Sequence, residues 1–221
     1  MPGPVFIEGD GVELCTVERE DIEFLQQGMN HPGVRRYAGG DLPYNRQRYE
    51  DERFDVISND DVFHALVRAE GQRVGDVSLA PIDERRGWAN LGYWVHPDHW
   101  GKGYATEAAE LAVTHGFEEL ALHRVSATIV ADNEASKRVV EKLGFVHEGT
   151  KRDDADAEGL LDVSHDGEGD DDGDTDHQQA VAERLDDRPR EVLVRSSPDG
   201  THTVREERLR SNCFALSFTF A

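Results

Sequence analysis

The sequence has little cysteine and no long hydrophobic run. Its 221 residues include only two cysteines, Cys15 and Cys213, which stand far apart and lack sulfur or histidine neighbours at metal-ligand spacing. A disulfide framework and a zinc finger are therefore not expected. No apolar stretch approaches the roughly 20 residues that cross a bilayer, and the first residues, MPGPVFIEGDGVEL, do not resemble a secretory signal. We expect a soluble, cytoplasmic protein with no membrane partner.

Positive charge is also scarce. Asp and Glu number 46 against 24 Lys and Arg, which gives a formal net charge of -22. Binding to nucleic acid is not expected, because the phosphate backbone would be repelled by most of this surface. The excess of Arg over Lys and the abundance of Asp indicate a salt-adapted, halophilic source. Much of the acid, 15 residues against one base, lies between 153 and 187.

Periodicity predicts an α/β domain over residues 11–152. Alternating or β-branched runs predict strands at 12–17, 62–69, 73–79, 88–95, 124–130 and 145–152. Helical spacing predicts helices at 21–29, 45–57, 105–120 and 134–143. The helix at 105–120 connects two strands as a crossover, which favours parallel pairing of those strands. We therefore expect a mixed sheet with helices on both faces.

Composition changes sharply after residue 152. Residues 153–187 are acidic, low in complexity and poor in large apolar side chains, which predicts a disordered segment or a long solvated loop. Gln179 stands where a calcium loop needs its bidentate Glu, so no metal site is expected. Three interpretations of residues 188–221 stay open. Either a strand at about 212–220 returns to the sheet, or the tail lies outside the fold. A truncated or shifted reading frame after about residue 152, which would leave the sheet defective, is a third interpretation.

The most informative stretch is a strand, a glycine-rich turn and a helix start. Gly101 and Gly103 let the backbone approach a bound group closely, and the free N–H groups of the next helix favour an anion such as a pyrophosphate. No Ser or Thr follows Lys102, and Thr106 stands where a dinucleotide motif needs glycine. A nucleotide hydrolase and a Rossmann oxidoreductase are therefore not expected.

Two motifs, GYWVHPDHWGKGYATEA at 92–108 and NEASKRVVEKLGF at 133–145, resemble the Gcn5-related N-acetyltransferase (GNAT) family, and most closely its ribosomal-protein N-terminal acetyltransferase branch. The acyl-CoA signature of that family falls on residues 100–105, with Trp100 replacing the usual Gln or Arg. The resemblance implies a mostly antiparallel sheet with a parallel pair at the acyl-CoA site. It also implies an enzyme, monomeric or homodimeric, that transfers acetyl from acetyl-CoA to a primary amine such as a protein N-terminus. A non-catalytic module that only binds acyl-CoA is the alternative.

The resemblance also implies individual roles. Amides over 100–105 and the Thr106 hydroxyl would hold the pyrophosphate of coenzyme A. The strand end at 94–96 would pair with the pantetheine arm, and an N–H near Val95 would polarise the thioester carbonyl. Asn133 would hydrogen-bond the pantetheine, or else cap its helix. The predicted cofactor contacts are Trp94, Val95, His96, Trp100, Gly101, Lys102, Gly103, Tyr104, Ala105, Thr106 and Asn133, and the predicted acceptor wall contains Tyr37, Gly39, Gly40 and Tyr44.

Two catalytic positions of the family are altered. Asn90 stands where many members have a Glu that accepts the amine proton, and Val140 stands where many have a Tyr that protonates the thiolate. Asn90 can orient a water but cannot act as a base, so deprotonation falls to another carboxylate or to His96 or His99. Ser136, one helical turn before Val140, is the candidate thiol donor. Its alternative is a simple hydroxyl on the helix surface.

Overall fold

One eight-stranded sheet forms the centre of the fold. The computed structural model describes residues 3–37, 42–151 and 160–167. The strands are β1 (Val5–Glu8), β2 (Glu13–Cys15), β3 (Phe63–Ala69), β4 (Gln72–Asp83), β5 (Trp88–Val95), β6 (Arg124–Val130), β7 (Val146–Lys151) and β8 (Leu160–Asp166). Their order across the sheet is β1-β2-β3-β4-β5-β6-β8-β7. Strands β5 and β6 pair in parallel, and the other neighbours are antiparallel. The expected sheet, mostly antiparallel with one parallel pair, is confirmed.

Helices cover both faces of this sheet. They are α1 (Ile22–Asn30), α2 (Pro32–Arg35), α3 (Arg46–Tyr49), a π-helical segment (Glu50–Phe54), α4 (Asp55–Ile57), α5 (Tyr104–Glu118) and α6 (Glu134–Lys142). Helices α1 to α3 contribute to one buried apolar cluster, and α5 and α6 contribute to another. None of the helices in the described ranges has the length and apolar character needed to span a membrane.

Strand β5 shows how the two faces arise. Successive side chains of a strand point to opposite faces. Leu91 and Tyr93 are buried in the cluster that includes α5, whereas Trp94 is buried in the cluster that includes α1. The Trp94 indole packs so closely on α1 that a Cβ at Gly28 would lie 2.0 Å from it. We call these two faces of the sheet the α5 face and the α1 face.

Strand β8 is the main correction to the sequence analysis. Residues 160–166 belong to the segment that was expected to be a disordered or solvated loop, yet they pair with all of β6, from Leu160 opposite Val130 to Asp166 opposite Arg124. Val163 is buried in the α5-face core, while Asp162 bonds Thr128 on the other face. The acidic composition hides this alternation. The expectation is therefore wrong for 160–166.

Three further regions bear on the predicted boundaries. Strand β1 precedes the expected start of the domain at residue 11 and pairs antiparallel with β2. The expected helix at 45–57 is present as α3, the π-helical segment and α4. Residues 168–221, with the expected strand at about 212–220, lie outside the described residues. The proposed limits of the acidic segment and the tail therefore stay predictions.

Candidate active site

The parallel strands β5 and β6 separate after a short contact. Their last matched pair is Asn90 and Ser126. Beyond it, β5 continues to pair with β4 through Val95, and β6 continues to pair with β8 through Val130. One edge of β5 over residues 91–95 therefore faces an opening between the two strands, which we call the β5–β6 cleft. Asn90 lies at the inner end of this cleft.

Val95 directs its backbone into the cleft. The His96 N–H donates to the Val74 carbonyl at 2.7 Å, and successive residues of a strand direct their N–H groups to opposite edges. The Val95 N–H therefore faces the β5–β6 cleft, while the backbones of Trp94 and His96 face β4. The Val95 carbonyl accepts the Trp100 indole N–H at 2.6 Å. The Val95 N–H is thus a fixed donor suited to a thioester oxygen.

The glycine turn leads directly into α5. Gly101 has a φ of 75° and Gly103 a φ of 89°, a left-handed conformation that favours glycine. Gly103 precedes the helix, and its carbonyl accepts the Glu107 N–H at 3.1 Å, so the N–H groups of residues 104–106 point out of the helix start. A Cβ at either glycine would meet no atom within 4 Å. This open, donor-rich turn fits the pyrophosphate of coenzyme A.

Two side chains flank the glycine turn. The Trp100 indole is 45% exposed and packs against Gly33, where a Cβ would lie 3.0 Å from the ring. The Lys102 Nζ lies 5.6 Å from the centre of the Tyr104 ring. The structure thus joins the predicted cofactor residues from Trp100 to Thr106 in one turn and helix start, and it fixes the unusual Trp100 to the end of β5.

His96 lies at the start of the turn Pro97–His99, beside the glycine turn. Its Nδ1 accepts the Asp98 N–H at 3.4 Å, and its ring centre lies 5.3 Å from that of His31. Burial lowers the pKa of His96, although the Asp98 carboxylate opposes this shift. A lowered pKa favours a neutral imidazole near pH 7. The role of His96 as a base stays a prediction.

Asn133 and Ser136 form the buried start of α6. The Asn133 Oδ1 accepts the Ser136 N–H, and the Asn133 Nδ2 donates to the Ser136 Oγ, both at 3.1 Å. Asn133 therefore caps the helix, the alternative role considered for it. Ser136 is 0% exposed, so it is not a hydroxyl of the helix surface. The Tyr93 hydroxyl lies 3.4 Å from the Ser136 carbonyl, and burial raises the pKa of Tyr93.

The expected acceptor wall is partly described. Tyr37 and Tyr44 both pack against the buried cluster of the α1 face. The Tyr44 hydroxyl accepts a hydrogen bond from Arg53 at 3.0 Å, and its ring centre lies 6.1 Å from that of Tyr49. Residues 38–41 lie outside the described ranges. The structure thus places Tyr44 beside the helical segment of residues 46–57.

Sequence reasoning missed a small cavity on the α1 face. It encloses about 30 Å³ beneath α1 and the helical segment from α3 to α4. Its polar lining consists of Tyr49, Arg53, His64, Asp76, Ser78 and the indole of Trp94. We call it the His64 cavity. The available signal was the alternation of Asp76 and Ser78 with Val77 and Leu79, because two polar side chains on one face of a buried strand need partners.

A larger groove of about 720 Å³ lies on the same face of the sheet, over β6 and β8. Ser126, the partner of Asn90, lines one side, and Asp162 lines the other. Arg124 forms ion pairs with both Glu148 and Asp166, and its hydrogen bond to Glu148 lowers the pKa of that carboxyl. We call this the β6–β8 groove. It is open, has both polar and apolar lining residues, and is adjacent to the inner end of the cleft.

Comparisons with known proteins identify the family. The acetyltransferase (GNAT) domain model matches residues 12–146. The uncharacterized N-acetyltransferase YoaA of Bacillus subtilis (strain 168) is 37% identical over 158 residues, which are 66% of this chain and 85% of YoaA. The spermidine N(1)-acetyltransferase of Escherichia coli (strain K12) is 32% identical over 139 residues, which are 62% of this chain and 74% of that enzyme.

A solved structure gives the same fold. RimL, a ribosomal L7/L12 alpha-N-protein acetyltransferase, matches with a TM-score of 0.65 at 17% identity, over 74% of this chain and 94% of RimL. The chain therefore belongs to the GNAT acetyltransferase family, and it is an N-acetyltransferase with acetyl-CoA as its acetyl donor. Within the described residues, no group of three or more His, Cys, Asp or Glu side chains is arranged to hold a metal ion.

Proposed function

We propose that the protein acetylates the α-amino group of a protein N-terminus, which attacks acetyl-CoA directly in a ternary complex. In this proposal the glycine turn holds the pyrophosphate, and the Val95 N–H donates to the thioester oxygen as negative charge develops on it. The amine nitrogen forms a bond to the acetyl carbon, the C–S bond breaks, and coenzyme A leaves as the thiol.

The Trp94 indole is the observation that carries the choice of acceptor. Its Nε1 is buried and has no hydrogen-bond partner among the described residues, and leaving such a donor unpaired costs about 1–3 kcal/mol. Trp94 lines the His64 cavity, next to Gly92 of β5. A protein N-terminus carries a carbonyl oxygen close to its amine, which can accept this N–H. A protonated polyamine offers donors only, and the cationic Arg53 in the same lining would repel it.

The open shape of the β6–β8 groove supports the same choice. The groove begins at Ser126, beside the inner end of the cleft, and its volume of about 720 Å³ can receive several residues that follow an acetylated N-terminus. The polar side chains in its lining offer hydrogen bonds to an extended peptide. Small-molecule sites are usually more enclosed and more apolar.

A polyamine is the second candidate acceptor. It is favoured by the spermidine N(1)-acetyltransferase relative and by the carboxylates of Asp76 in the cavity and Asp162 in the groove. The two candidate substrates differ in whether they can accept a hydrogen bond from the Trp94 indole. An unpaired indole N–H favours binding only of a substrate that has a hydrogen-bonding oxygen near its amine.

Thiol release from acetyl-CoA distinguishes these acceptors. The wild-type protein is offered peptides with different N-terminal residues, the same peptides with blocked N-termini, and spermidine. We expect faster release with free N-termini, and we expect Trp94→Phe to raise the KM for peptides more than the KM for spermidine. A higher kcat/KM for spermidine than for every peptide would contradict the proposed acceptor. Acetyl-CoA binding without thiol release from any acceptor would support the non-catalytic alternative.

A further inference from the structure

The His64 cavity contains a histidine and a carboxylate in contact. The His64 Nε2 lies 3.1 Å from the Asp76 Oδ2, at ion-pair distance but without the geometry of a hydrogen bond, and the two side chains are only 13% and 10% exposed. The pair joins neighbouring strands, since His64 lies on β3 and Asp76 on β4. A carboxylate beside one ring nitrogen favours the tautomer with its proton on that nitrogen, which leaves the other nitrogen, Nδ1, as a proton acceptor.

Strand register connects this pair to the cleft. His64 lies opposite Ser78, and Ser78 lies opposite Gly92 of β5, all on the α1 face. Gly92 has no side chain and lines the His64 cavity, so the cavity reaches β5, the strand that borders the cleft. The Ser78 Oγ lies 3.5 Å from the Gly92 carbonyl. Two strand spacings of about 4.8 Å, close to 10 Å in all, separate the backbone of His64 from β5, so a proton reaches the ring only by a relay through groups between the two strands, such as the Ser78 hydroxyl.

The Glu that accepts the amine proton in many family members is replaced here by Asn90. Asn90 lies on the same face of β5, two residues before Gly92, and its amide cannot take a proton near neutral pH. His96 lies at the other end of the strand, beside the glycine turn. Among the groups that line the cavity, Tyr49 from α3 stays neutral, because burial and the charge of Asp76 raise its pKa well above the ordinary value. Arg53 from the π-helical segment stays cationic.

We propose that His64, held by Asp76, is the proton acceptor for the acetylation reaction. This inference rests on the proposed function only in requiring an amine acceptor. One proton passes from the acceptor ammonium to the His64 Nδ1, through the Ser78 hydroxyl or a water. The freed lone pair forms the C–N bond, the C–S bond breaks, and the second amine proton neutralises the departing thiolate. Asp76 is a positioning residue, which fixes the tautomer and stabilises the imidazolium.

The pH profile of kcat/KM tests this assignment. We expect His64→Gln to lower kcat/KM about 100-fold at pH 7, and we expect the deficit to shrink towards pH 10, where the amine loses its proton to solvent. Asp76→Asn should lower kcat more than it changes the KM for the amine, and Asp76→Glu should restore part of kcat, because Asp76 acts by orienting the His64 ring. We expect acetyl-CoA to raise the melting temperature of these variants and of the wild type alike.

The matched control is His147→Gln, an exposed histidine of β7 outside the cavity. It should keep the profile of the wild type. A His64→Gln deficit that is equal at every pH would overturn the proposal, because a structural role has no reason to disappear at high pH. An unchanged kcat in Asp76→Asn would also overturn it, even if His64→Gln does not fold. A wild type that releases no thiol with any amine would instead contradict the proposed function.

Discussion

The carboxylate of Glu107 accepts hydrogen bonds from the backbone N–H groups of Gly11 at 2.6 Å and Val12 at 3.1 Å. The contact joins the first turn of α5 to the loop before β2, nearly 100 residues earlier in the chain. The fit is close, since a Cβ at Gly9 would lie 2.7 Å from the same carboxylate. Glu107 therefore attaches the start of α5, directly after the glycine turn, to the sheet.

Removal of this carboxylate should destabilise the fold. We expect Glu107→Ala to lower the free energy of unfolding by about 2 kcal/mol, because hydrogen bonds to a charged group are worth about 1.5–3 kcal/mol. Glu107→Gln keeps one oxygen acceptor and should lose less. Urea denaturation measures both effects. The control is Glu110→Ala on the exposed side of α5, and equal losses in the Glu107 and Glu110 variants would contradict the structural role.

Local sequence signals predicted much of the fold. Helices α5 and α6 and the strands from β3 to β6 carry regular apolar spacing that neighbouring residues reveal. Strand β1 has four residues, mostly exposed, so it shows little pattern. Strand β8 alternates, but its inward-facing Leu161 and Val163 are surrounded by acidic residues, and the composition of the whole segment obscured them.

The candidate site likewise has one part that local sequence signals predicted and one part that they did not. The glycine turn was predictable, because Gly101, Gly103 and the following helix are contiguous in sequence. The pair of His64 and Asp76 was not, because it depends on how β3 and β4 are placed in register. A single sequence does not give that register, so long-range pairs between strands are the part of a site that periodicity cannot supply.

The glycine turn can be tested against a second glycine of the same conformation. Gly103→Ala should weaken acetyl-CoA binding at least tenfold, because its Cβ would project into the open front of the turn. The left-handed φ adds about 1–2 kcal/mol of strain. Gly71→Ala is the matched control, since Gly71 has a φ of 75°, open space around it, and a position in the β3–β4 hairpin.

Calorimetry measures the affinity of each variant for acetyl-CoA, and thermal melting measures the loss of stability. Gly71→Ala should lose stability and keep its affinity. If both variants keep the affinity of the wild type, the turn does not contact the pyrophosphate.

Ser136 can be tested by the separation of turnover from affinity. Ser136→Ala removes the hydroxyl that accepts a hydrogen bond from the Asn133 amide. We expect this substitution to lower kcat with little change in the KM for acetyl-CoA. The reason is that the charge of the departing thiolate, its expected partner, develops only in the transition state. Asn133→Ala should instead destabilise the fold by about 1 kcal/mol through the loss of the helix cap. Unchanged kcat in Ser136→Ala, at saturating acetyl-CoA with chemistry limiting the rate, would leave this hydroxyl a purely structural role.

His115 should make the stability of the fold depend on pH. It lies in the last turn of α5, with its ring centre 4.9 Å from that of Phe63 and 5.3 Å from that of Phe6. Burial lowers the pKa of His115, and the Glu119 carboxylate only partly opposes this effect. The unfolded chain, with a histidine pKa of about 6.5, therefore takes up the proton before the folded chain does.

This difference sets the direction of the effect. The stability that His115 contributes to the folded state is fully present above about pH 6.5. It is lost as the pH falls from there through the lower pKa that His115 has in the folded state. We expect the wild type to lose more stability between pH 7.5 and pH 5.5 than His115→Gln does, in urea denaturation at both values. His147→Gln removes an exposed histidine instead, so it should follow the wild type. If His115→Gln loses as much stability over this interval as the wild type, then protonation of His115 is not the cause, because the variant has no imidazole to protonate.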